Sequence, residues 1–78
     1  MYRVGTVVRT AQGLAILRSP EDASAEHAIG TMVLDDSLDT VGRVVDVFGP
    51  VDQPYLAVSP TDHVHLPALL GTTMYARD

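Results

Sequence analysis

The apolar residues of this chain come in short, valine-rich runs, and glycine, proline or clustered aspartate stops each run before it reaches the length of an ordinary helix. Val4 to Thr10 is rich in β-branched residues, Ala11-Gln12-Gly13 reads as a turn, and Leu14 to Arg18 resumes the apolar run, so the pattern predicts a hairpin. Ser19-Pro20-Glu21-Asp22 breaks that run and begins a polar, alanine-rich loop through Ile29. One helical turn can open there, because proline suits the first helical position and acidic residues the first turn. Thr31 to Leu34 is a short strand candidate, followed by the acidic turn Asp35 to Asp39. Val41 to Phe48 is the strongest strand, and Gly49-Pro50 ends it, since proline cannot donate to a ladder. Tyr55 to Val58 lies between Pro54 and Ser59-Pro60, Thr61 to Pro67 is a polar connection, and Leu69 to Tyr75 is a last apolar segment punctuated by Gly71. Six strands at spacings of roughly ten residues predict an all-β fold, a small six-stranded antiparallel β-barrel that leaves no exposed sheet edge. No internal repeat, low-complexity tract or interdomain linker is apparent.

Length confines the chain to a single domain over residues 1–78, because a second core would need roughly 50 residues of its own. A domain this small buries only about 60 per cent of its unfolded surface, so a covering partner is physically useful to it. There is no cysteine, which removes disulfides, thiolate metal sites and cysteine nucleophiles together. Apolar residues make up 46%, yet no run approaches the ~18 needed for a membrane helix and no apolar leader opens the chain. A soluble, cytoplasmic protein with no membrane association is the expectation.

The net charge is -5, all five basic residues are arginine (Arg3, Arg9, Arg18, Arg43, Arg77), and aspartate outnumbers glutamate eight to two. An acidic, lysine-free surface suits a salt-rich, halophilic cytoplasm, where screening reduces self-repulsion. The same balance argues against RNA binding by the chain alone, because scattered arginines form no phosphate-neutralising stripe. With one phenylalanine, three tyrosines and no tryptophan, there is no aromatic row on which bases stack.

Strict alternation along Val41 to Phe48 puts Val41, Val45 and Val47 on one face and Val44 and Phe48 with Gly42 and Asp46 on the other. Both faces are apolar, while a barrel has one interior. One set is therefore expected to face outward, under either the Ala23 to Ile29 loop or another protein. Gly42 permits close approach of another backbone.

Catalytic and metal constellations do not assemble from this sequence. His63 and His65 would share a strand face, with Asp62 nearby, but a structural metal wants four well-held ligands and these read as solvated loop residues. Asp35, Asp36 and Asp39 lack the alternation and glycine of a calcium loop. Ser19, Ser24, Ser37 and Ser59 have no nucleophile-elbow context, and no glycine-rich phosphate loop exists. An enzyme, a metal, a cofactor and a small-molecule substrate are all unexpected.

The stretch Val41 to Val58, VGRVVDVFGPVDQPYLAV, resembles the signature of the Gar subunit of archaeal H/ACA ribonucleoproteins, a V/I-G-x-V-x-D-x-F/I-G-P-V-x-x-P-Y pattern. Val41-Gly42, Val44, Asp46, Phe48-Gly49-Pro50-Val51 and Pro54-Tyr55 align without a gap. Arg3-Val4-Gly5-Thr6-Val7 and Leu70-Gly71-Thr72-Thr73-Met74-Tyr75 are more weakly similar to the family's opening and closing strands. The resemblance implies a six-stranded barrel related to those of translation elongation factors. It also implies a noncatalytic role in RNA-guided pseudouridylation, and so in rRNA processing and ribosome biogenesis. The implied partner is a dyskerin-type pseudouridine synthase, with H/ACA guide RNA and rRNA met only through the particle. Carried over by motif, the partner-binding residues are Val41, Gly42, Val44, Phe48, Gly49, Pro50, Val51, Pro54 and Tyr55. The chain lacks the glycine-arginine-rich tail of some relatives, and a related assembly factor of eukaryotes shares the barrel. The competing reading is a stand-alone nucleic-acid-binding barrel of translation-factor type, which calls for exposed basic and aromatic strands.

Overall fold

The computed structural model describes residues 2–19, 29–50, 52–61 and 64–76. Six strands form: β1 (Tyr2–Ala11), β2 (Leu14–Arg18), β3 (Met32–Leu34), β4 (Thr40–Phe48), β5 (Tyr55–Pro60) and β6 (Thr73–Ala76). Every pairing is antiparallel, and the ring β1-β2-β5-β4-β3-β6 closes on itself. The expected all-β barrel of six antiparallel strands is therefore present. The helical turn read into the segment after Ser19 lies outside the described residues.

Local chemistry explains the turns. Gln12 (φ 52°) and Gly13 (φ 78°) both take positive φ between β1 and β2, as the two-residue hairpin turn that matches strand twist requires. Between β3 and β4, the Asp35 carboxylate accepts hydrogen bonds from the Ser37 and Asp39 amides at 2.9 and 3.0 Å. That local bonding is what favours aspartate in turns.

Inside the ring, Val4, Val7, Ala15, Leu17, Val33, Val41, Val44, Leu56, Val58, Met74 and Ala76 form one buried cluster. Leu66 and Leu69, on a 3-10 helix spanning Leu66–Leu69, and Val64 just before it pack against that cluster. Here the structure departs from expectation: the last apolar segment is not one strand from Leu69, but a helical turn, a break at Gly71 (φ 82°) and a strand from Thr73. The leucines are apolar because they pack on the core, not because they extend a sheet.

Closing a ring of short strands requires local bends, and β1 and β4 supply them as bulges. On β4 the register slips at Val41 against β3 and at Val45 against β5. Each slip turns the alternation over. Val41 and Val44, which strict alternation separates, are thus both buried, while Val45 is 48% exposed. The Asp46 carboxylate accepts the Val47 amide at 2.8 Å just after the second bulge. Gly42 is buried against β5, where a Cβ would drive onto the Ser59 carbonyl oxygen.

Candidate functional site

The hairpin joining β4 to β5 carries a stacked aromatic pair at the barrel surface; Tyr2 at the start of β1 is a separate exposed aromatic. Phe48 and Tyr55 are partners in the last register position before the loop, and their rings stack with centroids 5.8 Å apart and planes at 25°. Phe48 is 37% exposed and Tyr55 half-buried, so the pair lies as a ledge rather than inside the core. Gly49 makes this geometry possible twice over. Its φ of 92° belongs to the left-handed region, and a Cβ there would stand 2.9 Å from Tyr55 Cδ2. The tyrosine ring therefore rests over a glycine.

The far end of the loop is anchored to β2. The Ser19 hydroxyl donates to the Pro54 carbonyl at 2.6 Å, and the Ser19 amide donates to the same oxygen at 3.2 Å. The Gln53 amide nitrogen donates to the Ser19 carbonyl at 3.2 Å, while an Arg18 guanidinium nitrogen donates to Gln53 Oε1 at 3.3 Å. A proline-bracketed loop held at its base loses little conformational entropy when another surface meets it. Beside this anchor a groove of about 380 Å³ runs between Arg3, Arg18 and Gln53. It offers guanidinium donors next to the aromatic ledge, in a chain whose net charge is negative.

The motif residues separate into two groups in the structure. Phe48, Gly49 and Pro50 are exposed and Tyr55 half-buried, forming or flanking the ledge. Val41 and Val44 are 2% and 1% exposed, Gly42 is buried against β5, and Pro54 is buried with its carbonyl bonded to Ser19. This corrects their assignment as partner-binding residues, because a side chain sealed in the barrel has no area to offer another chain. Their part of the motif builds the fold. Val51 lies outside the described residues.

Two apolar residues that the motif does not mark also face outward: Val45, on β4 three positions before Phe48, and Met32, farther from the ledge on β3 opposite Arg43. Val45 is exposed because of the bulge, a feature that a reading by alternation has no means to place. Met32 carries no sequence signal beyond being large and apolar.

Elsewhere among the described residues no second constellation of chemically active side chains assembles. A groove of about 630 Å³ lies between the Asp35–Asp39 turn and the 3-10 helix, but the Asp35 carboxylate there is engaged by the turn's own amides. Among the described residues no group of three or more His, Asp or Glu side chains is placed to hold a metal ion. His65 is exposed ahead of the 3-10 helix, while Asp62 and His63, the other members of the weighed ligand set, lie outside the described residues. No helix among the described residues is long and apolar enough to cross a membrane.

Compared with models of protein families and with curated proteins, the chain matches none.

Proposed function

We propose that this protein is a noncatalytic docking subunit whose Phe48–Tyr55 ledge seats on a dyskerin-type pseudouridine synthase within an RNA-guided H/ACA pseudouridylation particle. The observation that carries the reading is the stacked aromatic pair, held on a loop bracketed by Gly49-Pro50 and the Ser19-anchored Pro54. A preformed aromatic anchor on a stiff loop is what a binding hot spot needs, since apolar area is gained on contact with little ordering cost. The partner's identity comes from the resemblance of Val41 to Val58 to the Gar subunit. On this reading the barrel contributes no chemistry. It biases a mobile element of the synthase by contacting one of its states better than the other, helping substrate RNA load and product RNA leave. Contact with H/ACA guide RNA and rRNA runs through the particle, in the cytoplasm. The acidic balance supports that division of labour, because an isolated chain of net charge -5 has little attraction for phosphate.

Copurification with the synthase, comparing wild type with Phe48→Asp, Val45→Asp and Leu70→Asp, tests this. All three positions are exposed, so each variant is expected to keep the wild-type circular dichroism spectrum. Association should be lost for Phe48→Asp, weakened for Val45→Asp and kept for Leu70→Asp, which lies between the 3-10 helix and β6 and lines neither groove. Equal association of all three folded variants would refute the assignment of the ledge. A mobility shift of guide RNA by the isolated chain at moderate salt would favour the stand-alone nucleic-acid-binding barrel instead.

A further inference from the structure

The two halves of the barrel follow one plan, visible only when the registers are laid side by side. Val4-Gly5-Thr6-Val7-Val8 in β1 corresponds to Val41-Gly42-Arg43-Val44-Val45 in β4. In both, the first valine is a buried bulge, the glycine is buried, the next valine is core and the last is an exposed bulge. In both, the glycine faces a carbonyl at the end of the following strand: Gly5 that of Arg18, Gly42 that of Ser59. Leu14–Arg18 and Tyr55–Ser59 have the same burial order, half-buried, three buried, then exposed.

The third strands correspond as well. Ile29-Gly30-Thr31 precedes β3, and Leu70-Gly71-Thr72 precedes β6. The Gly30 amide donates to the Val44 carbonyl and the Val44 amide to Thr31; the Gly71 amide donates to the Val7 carbonyl and the Val7 amide to Thr72. Gly30 and Gly71 share a left-handed φ, 85° and 82°. Across the ring, Ala15↔Val58 and Leu17↔Leu56 exchange under this correspondence, whereas Ile16↔Ala57 and Leu34↔Tyr75 map onto themselves. Those are the marks of a two-fold axis passing through the last two pairs.

Against that background one departure stands out. β1 and β2 are joined by Gln12-Gly13 between the paired residues Ala11 and Leu14. At the corresponding place the second half has Phe48 and Tyr55 as the pair, with Pro50 to Gln53 inserted between Gly49 and Pro54. We infer that the chain is a tandem of two equivalent three-strand units, β1–β3 and β4–β6, and that Phe48–Tyr55 with its inserted loop is a recognition element added to the second unit alone. A barrel with two nearly equivalent ends thereby acquires one binding end, so it takes one partner. The choice of a pseudouridine synthase as that partner rests on the reading proposed above.

The test transplants the first unit's turn into the second within the full chain: Phe48 to Tyr55 is replaced by the tetrapeptide of residues 11–14. The variant is expected to keep the wild-type oligomeric state and circular dichroism spectrum and to unfold cooperatively. Its association with the synthase should weaken by about thirtyfold or more, the loss expected when a hot spot is removed. A folded variant that still binds overturns the recognition element. A second pair of variants, Gly30→Ala and Gly71→Ala, tests the tandem without touching the loop. Both should lower the urea midpoint by the same amount, and a shift at only one of them overturns the equivalence of the units. If wild type itself fails to bind the synthase, the docking reading falls, while the folding results still decide the tandem.

Discussion

Replacing Gly42 with alanine should destabilise the barrel well beyond what an alanine substitution normally does. The residue sits in β4 opposite Pro60, and a Cβ built there points onto the Ser59 carbonyl oxygen, with the carbonyl carbon at 2.8 Å and Pro60 Cα at 2.9 Å. The obstacle is backbone, which cannot rotate aside as a flexible side chain would. Relief requires β4 and β5 to separate locally, close to the bulge at Val45. Restricting the unfolded chain by removing a glycine returns about 0.4–1 kcal/mol. Forced overpacking in a filled interior costs about 1–3 kcal/mol, and a rigid obstacle belongs at the upper end. The net expectation is a loss of about 2 kcal/mol. A domain of this size has a total stability of about 4–12 kcal/mol, so the effect is a large share. With a urea dependence near 1 kcal/mol/M, the denaturation midpoint should fall by about 2 M. The melting temperature should fall by about 8–16 °C at 4–8 °C per kcal/mol. Gly5→Ala should act in the same direction, since its Cβ would stand 2.5 Å from the Arg18 carbonyl oxygen. A Gly42→Ala midpoint at or above wild type would show that β4 and β5 do not approach as described, and the register argument would fail with it.

Three further outcomes are expected. Leu38→Gly should raise stability by about 1 kcal/mol in urea denaturation, because an exposed leucine at φ 68° carries the left-handed penalty that glycine avoids. Leu17→Ala should cost about 2–5 kcal/mol by the same assay, as the side chain is fully buried and its removal leaves a cavity at the centre of the ring. Ser19→Ala should cost only about 1 kcal/mol, since Pro54 keeps the Ser19 amide as a donor. It should also speed hydrogen exchange at the residue-19 backbone amide, which donates to the same Pro54 carbonyl that the hydroxyl helps to hold.

How much of this was readable along the chain differs from element to element. The turns and strand runs were, because they depend on neighbours in sequence: β-branched residues favour extended backbone, and Gly13, Gly49-Pro50 and the Asp35 turn stop it on the spot. The 3-10 helix was missed because Leu66 and Leu69 are apolar for a non-local reason, packing on a core assembled from distant strands. The candidate site was half readable. Phe48, Gly49, Pro50 and Tyr55 stand where the motif suggests a surface, whereas Val41, Gly42, Val44 and Pro54, marked by the same motif, build the interior. The correspondence between the halves was hidden because Pro50 to Gln53 spoils any constant period.

The amino-acid sequence alone determined that this chain is a set of short strands separated by obligatory stops, with no cysteine chemistry and a negative charge. Those properties belong to individual residues and their immediate neighbours. Which valines are sealed and which are offered was decided only by closure of the ring. A bulge exists by virtue of the strand beside it, and each bulge turns over the face on which every later side chain of that strand points.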